Sequence, residues 1–119
     1  MKILIVDDEP LIRRSLQRVA ESRQHSVVEA ADGEIGLKLW RQEKPDLVFL
    51  DVLMPGLTGP QVLKEIQPSA AKVILISAYT GEYNVDTAKN LGADLFIPKP
   101  FHNIFEVIEK AEELFSAKK

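Results

Sequence analysis

Five polar residues sit where short apolar runs stop: Asp7 and Asp8 after Ile3 to Val6, Asp51 after Leu47 to Leu50, Ser77 after Val73 to Ile76, and Lys99 behind Leu95 to Ile97. If those runs lie side by side, three carboxylates, a hydroxyl and an ammonium converge. Carboxylates brought together raise one another's pKa and need a positive partner. Lys99 supplies one charge, and a divalent cation can supply the rest. An all-oxygen site with few carboxylates, leaving positions for water and phosphate, suits Mg2+. The chemistry this implies is phosphoryl transfer. A carboxylate can be the covalent nucleophile and form an acyl phosphate, while the metal and Lys99 neutralise charge on the transferring group. Asp51 is the best nucleophile by position.

The elements that must position these residues alternate. A short apolar run followed by a longer amphipathic stretch occurs five times, which predicts an α/β domain with a parallel sheet. The runs are Ile3 to Val6, Val27 to Ala30, Leu47 to Leu50, Val73 to Ile76 and Leu95 to Ile97, continuous enough for strands covered on both faces. Between them, Ile12, Leu16, Val19 and Ala20 share one helical face, with Arg13, Arg14, Gln17 and Arg18 on the other. On the last helix Ile104, Val107, Ile108, Ala111, Leu114 and Phe115 are expected inward, and Glu106, Glu109, Lys110, Glu112 and Glu113 outward. Asp8 or Glu9 before Pro10, Asp32, and Pro60 mark helix starts, and Gly92 marks the end of the fourth helix. In such a sheet ligands bind at the carboxyl ends of the strands, where all five polar residues fall.

Composition narrows the classes. The 119 residues suit one domain without an output domain, and 45% hydrophobic content supplies a core. With 0 cysteines there is no disulfide framework or thiolate metal site, so nothing argues for secretion and a cytoplasmic location is expected. No apolar run approaches the roughly 18 residues of a membrane span. The net charge is −3, from 15 basic and 18 acidic residues that are interspersed, so direct nucleic-acid binding by this chain is not expected.

Asp7-Asp8-Glu9-Pro10, Asp51 followed by Met54-Pro55-Gly56, Ser77-Ala78 and Lys99-Pro100-Phe101 together resemble the response-regulator receiver family, across essentially the whole chain. The resemblance implies a single doubly wound (βα)5 domain, with a five-stranded parallel sheet of order 2-1-3-4-5 and helices on both faces. It makes Asp51 the phosphoacceptor, Asp8 a direct Mg2+ ligand, Asp7 a ligand largely through water, and Leu53 a ligand through its backbone carbonyl. Ser77 matches the switch hydroxyl, Lys99 the phosphoryl-pairing ammonium, the Ala78 amide a further phosphoryl donor, and Phe96 the switch aromatic. Lys99 to Pro100 is expected to be a cis peptide. The implied donor is a sensor histidine kinase or a histidine phosphotransfer protein, and the implied recipient a downstream output partner or domain. Helix four, strand five and helix five would form the responsive surface. Whether phosphorylation also produces a dimer stays open.

Each residue also has a plainer reading. Asp8 suits a helix cap, Ser77 a turn hydroxyl, Lys99 a solvated lysine, Met54-Pro55-Gly56 a turn, and Phe96 a core ring. A flavin-type binding domain of the same shape would need a Gly/Ser/Thr-rich phosphate loop, the opposite of Asp7-Asp8-Glu9-Pro10. A Mg2+-dependent aspartyl phosphatase usually carries a second Asp two residues past the nucleophile, where this chain has Leu53. A pseudo-receiver scaffold would lack one of the phosphorylation residues, and all are present. The chain is therefore expected not to be an enzyme beyond its own phosphorylation and dephosphorylation. Phe96, where many members have Tyr, would switch by ring burial. Leu53 and Tyr79 would flank the phosphoryl pocket and slow self-dephosphorylation. Trp40, Tyr83, His25 and His102 are assigned no site.

Overall fold

The computed structural model describes residues 1–78 and 85–117. Its elements run β1 (Lys2–Val6), α1 (Pro10–Ser22), β2 (Ser26–Ala30), α2 (Gly33–Glu43), β3 (Leu47–Asp51), α3 (Gly59–Ile66), β4 (Lys72–Ser77), α4 (Val85–Asn90), β5 (Leu95–Pro98) and α5 (Ile104–Ala117). The strands form one parallel sheet of order β2-β1-β3-β4-β5. The five expected strands and their order are thus observed. Tyr79 and Tyr83 lie outside the described residues. No helix among the described residues is long and apolar enough to cross a membrane.

Side chains alternate across the sheet with a period of two and build two cores. Leu4, Val6, Val48, Leu50, Val73, Leu75 and Phe96 pack with Trp40 of α2, Val62 and Leu63 of α3, and Ala88 of α4. Ile3, Ile5, Leu47, Phe49, Ile74 and Ile76 face Leu16, Val19 and Ala20 of α1 and Val107, Ile108 and Ala111 of α5. Every residue of β3 is buried, as a central strand covered on both faces requires.

The helix ends have local causes. Pro10 opens α1, Asp32 accepts the Ile35 N–H at 2.8 Å, and Thr58 and Gln61 form a reciprocal capping box around Pro60. Gly92, at φ +99°, closes α4 through paired bonds from Gly92 N to Lys89 O (3.0 Å) and Ala93 N to Ala88 O (2.9 Å). The same pattern ends α1, where Gln24 takes the left-handed position at φ 68°.

At the amino edge of the sheet, Asp46 Oδ2 accepts the Lys2 N–H and Asp94 Oδ2 the Val73 N–H, both at 2.8 Å. Three expected outward positions, Arg13, Gln17 and Glu112, are half-buried. Glu112 takes a bidentate bond from Arg23 (2.7 and 3.0 Å) with His25 Nε2 at 2.7 Å, because α5 packs beside the end of α1. Arg13 donates to the Asp7 carbonyl at 2.7 Å.

Candidate functional site

Strand register brings the polar residues together. Val6 pairs with Leu50, Leu50 with Leu75, and Leu75 with Phe96, so Asp7 and Asp51 occupy the same row beyond the last apolar residues of neighbouring strands. Adjacent strands are about 4.8 Å apart, which places the two carboxyl groups side by side. By alternation Asp7 continues the face of Ile5, Asp51 that of Phe49, and Lys99 that of Ile97. All three therefore turn to the side covered by α1 and α5.

Among the described residues, the buried polar or charged side chains are Asp7, Asp51, Ser77 and Lys99. Each is a residue singled out from the sequence. Burying charge is costly unless it is paired, and here Lys99 Nζ donates to Asp7 Oδ2 at 3.0 Å, to Glu9 Oε1 at 2.7 Å and to Asp51 Oδ2 at 3.4 Å. Asp7 also accepts the Glu9 N–H at 2.8 Å. Above them lies an open cleft of about 480 Å³ lined by Asp8, Glu9, Asp51, Leu53, Ser77, Ala78 and Lys99. Two other surface clefts, one beside Trp40 and one between Lys64 and Leu91, contain no such convergence of titratable groups.

Burial pushes the Asp51 carboxyl up to about 7, and the neighbouring Asp7 charge adds to the rise, against the opposing pull of Lys99. Burial likewise raises Asp7, although the Glu9 N–H and Lys99 partly offset it. Burial works against the Lys99 cation, but hydrogen bonds to Glu9 and Asp7 and the charges of Asp51 and Asp7 outweigh it, so its pKa is raised. The excess is negative: four carboxylates face one ammonium.

Such a centre is short of positive charge. Asp7, Asp8, Glu9 and Asp51 each offer a carboxylate oxygen, and these lie within 4.8 Å of one another. An oxygen-only donor set suits a hard divalent cation. Asp7 and Asp51 are buried whereas Asp8 and Glu9 are exposed, leaving one side of the cluster open to water or an incoming oxygen.

The other sequence-derived positions are also at this edge. Ser77 ends β4 and is 1% exposed, and Ala78 follows it at the cleft wall. The Leu53 side chain is 55% exposed at the rim. The Lys99–Pro100 peptide is cis, as expected; Gln67–Pro68 is cis too, which no local signal announced. Phe96 is 8% exposed within the core, consistent with its plainer reading. From the sequence Glu9 reads only as a helix-start residue. It occupies the cap position of α1, yet its side chain makes no capping bond and holds Lys99 instead.

Fold and site together define an α/β domain with an acidic, lysine-braced pocket at the carboxyl edge of its sheet. The family model "Response regulator receiver domain" matches residues 3–111. Protein PilH of Pseudomonas aeruginosa is 39% identical over 103 residues, covering 83% of this chain and 85% of the relative. The probable transcriptional regulator ycf27 of Guillardia theta is 43% identical over 101 residues, covering 84% of this chain but 40% of the relative. The Francisella response regulator 1452 receiver domain superposes with a TM-score of 0.90 at 29% identity, covering 99% of this chain and 98% of that one. This chain belongs to the response regulator receiver domain family. It spans about two-fifths of the length of several curated relatives named as transcriptional regulators (40%, 42% and 44%).

Proposed function

We propose that the chain is a phosphoacceptor switch that takes a phosphoryl group on Asp51 in a Mg2+-dependent reaction and passes the change to an output partner or domain. The observation that carries this reading is Asp51 itself: a buried carboxylate at the end of β3, bonded to Lys99, ringed by further carboxylates and open to a cleft. When bound by Asp7, Asp8, Asp51 and the Leu53 carbonyl, Mg2+ would supply positive charge to the phosphoryl oxygens. An Asp51 carboxylate oxygen attacks phosphorus on a phosphohistidine, the P–N bond breaks, and its electron pair leaves with the imidazole. Lys99 holds the site's charge and donates to a phosphoryl oxygen, and the Ala78 amide donates to another. The donor would be a sensor histidine kinase or a histidine phosphotransfer protein.

Phosphorylation adds charge and acceptor oxygens at Asp51. Ser77 then moves to bond them, and Phe96, already mostly inside, makes a small inward adjustment that alters the surface of α4, β5 and α5. The chain catalyses only its own gain and loss of phosphate. Leu53 at the rim obstructs an attacking water and prolongs the phosphorylated state.

The test is intact-protein mass after incubation with acetyl phosphate and Mg2+, comparing wild type, Asp51→Asn and a metal-free sample. The expected result is a single-phosphoryl gain that needs metal and is lost in the variant. A wild type that gains nothing under conditions that label a control receiver, and that also fails to bind beryllofluoride, overturns the reading in favour of a non-phosphorylated scaffold.

A further inference from the structure

Glu9 has no part in the proposed function, yet it makes the shortest of the three Lys99 contacts: 2.7 Å, against 3.0 Å to Asp7 and 3.4 Å to Asp51. Its backbone takes the extended cap conformation ahead of α1 (φ −91°, ψ 112°), a position whose side chain ordinarily bonds the helix's first amides. Here the side chain forgoes that bond and reaches Lys99, a residue 90 positions away in sequence.

An ammonium has three protons and no acceptor. Lys99 Nζ meets three carboxylates, so its donor capacity is already filled before any phosphoryl group arrives. A phosphoryl oxygen on Asp51 can be bonded by Lys99 only if an existing contact weakens. The three partners differ in what that would cost. The Asp7 side chain is fully buried, and losing its cation would leave an unpaired charge in the interior. Asp51 is itself the group that is converted. The Glu9 side chain is 57% exposed, so water can replace the ammonium there at little cost.

We propose, resting on the phosphoacceptor reading above, that Glu9 is a positioning residue that holds Lys99 in the resting state. It is a displaceable carboxylate occupying the ammonium proton that the phosphoryl oxygen later takes. It biases the switch towards its unphosphorylated form in two ways, by competing for Lys99 and by adding one more negative charge beside the incoming group.

The experiment compares wild type, Glu9→Gln and Glu9→Asp. In metal-free protein, the lysine side-chain 15N–1H resonance of Lys99 reads the ion pair directly. At saturating Mg2+, a beryllofluoride titration reads how readily Lys99 is released. Glu9→Gln is expected to shift the Lys99 resonance and to bind beryllofluoride about two- to five-fold tighter, the scale of an ion pair with one solvent-facing partner. Glu9→Asp, which keeps the charge on a shorter arm, should fall between. The proposal is overturned by a Lys99 resonance and a beryllofluoride affinity unchanged in Glu9→Gln. It is equally overturned by weaker beryllofluoride binding at saturating Mg2+, which would make Glu9 a binding group. A wild type that binds no beryllofluoride with Mg2+ sinks the phosphoacceptor reading itself, a result distinct from either.

Discussion

At the scale of single residues, the site is built against the stability of the fold. Asp51 has an ordinary carboxyl value of 3.8 when unfolded and is pushed to about 7 in the folded, metal-free chain, first by burial and then by Asp7. Between those values the folded state holds a proton that the unfolded state has lost, so stability falls as pH rises. The contribution is fully present below about pH 4 and gone above about pH 7. Asp51→Asn removes the titrating group and should abolish most of this slope. In chelator at pH 8 the variant is expected to be more stable than wild type by on the order of 2–4 kcal/mol, and at pH 4 nearly equal to it. Urea denaturation of both proteins at the two pH values checks this. A variant that is less stable at pH 8 would mean that the Asp51–Lys99 pair stabilises more than burial costs. Mg2+ at ten times its Kd should return about 1.4 kcal/mol to wild type.

At the scale of elements, the start of α3 is pressed against the backbone that carries Asp51. A Cβ at Gly59 would collide with the Asp51 carbonyl oxygen and come within 3.1 Å of Val52 Cα and 3.2 Å of Asp51 C. These are backbone atoms that cannot rotate away, so the helix or the strand end must shift. Gly59→Ala is therefore expected to cost about 1–3 kcal/mol of stability and also to weaken Mg2+ binding, because the displaced atoms belong to Asp51. Parallel unfolding and metal titrations check both effects; lost stability with unchanged metal affinity would confine the role of Gly59 to packing. The helix start was partly legible, since Pro60 marks it, while the Thr58–Gln61 capping box that fixes it to the residue is seen in the fold. The close approach of Gly59 was not, because it depends on where a separate strand runs. The same limit hid the Arg23–Glu112 pair, whose partners are 89 residues apart and meet only because α1 and α5 are neighbours on one face.

At the scale of the whole molecule, most of the site was legible because Asp7, Asp51, Ser77 and Lys99 stand at the ends of apolar runs, and a parallel sheet forces all such ends to one edge. What period and spacing could not convey was depth: Asp51 and Ser77 belong to their strands and are buried, whereas Asp8 and Glu9 face solvent. The two edges are consequently unlike. The amino edge is fastened by Asp46 and Asp94, which accept the Lys2 and Val73 amides of neighbouring strands. The carboxyl edge gathers repelling charges, and on one face of the sheet it is α4 that brings the least to the core. The described residues of that helix are Val85–Asn90. Among the described residues, α4 contributes Ala88 to the core, where α1 contributes Leu16, Val19 and Ala20. Its opening should therefore cost far less than global unfolding. Hydrogen exchange is expected to find α4 amides the least protected of the five helices, exchanging at least about tenfold faster than those of α1, a difference of ~1.4 kcal/mol or more. Such a helix can rearrange when charge at Asp51 changes while the sheet beneath it stays fixed. Equal protection of α4 and α1 would count against α4 as the element that moves.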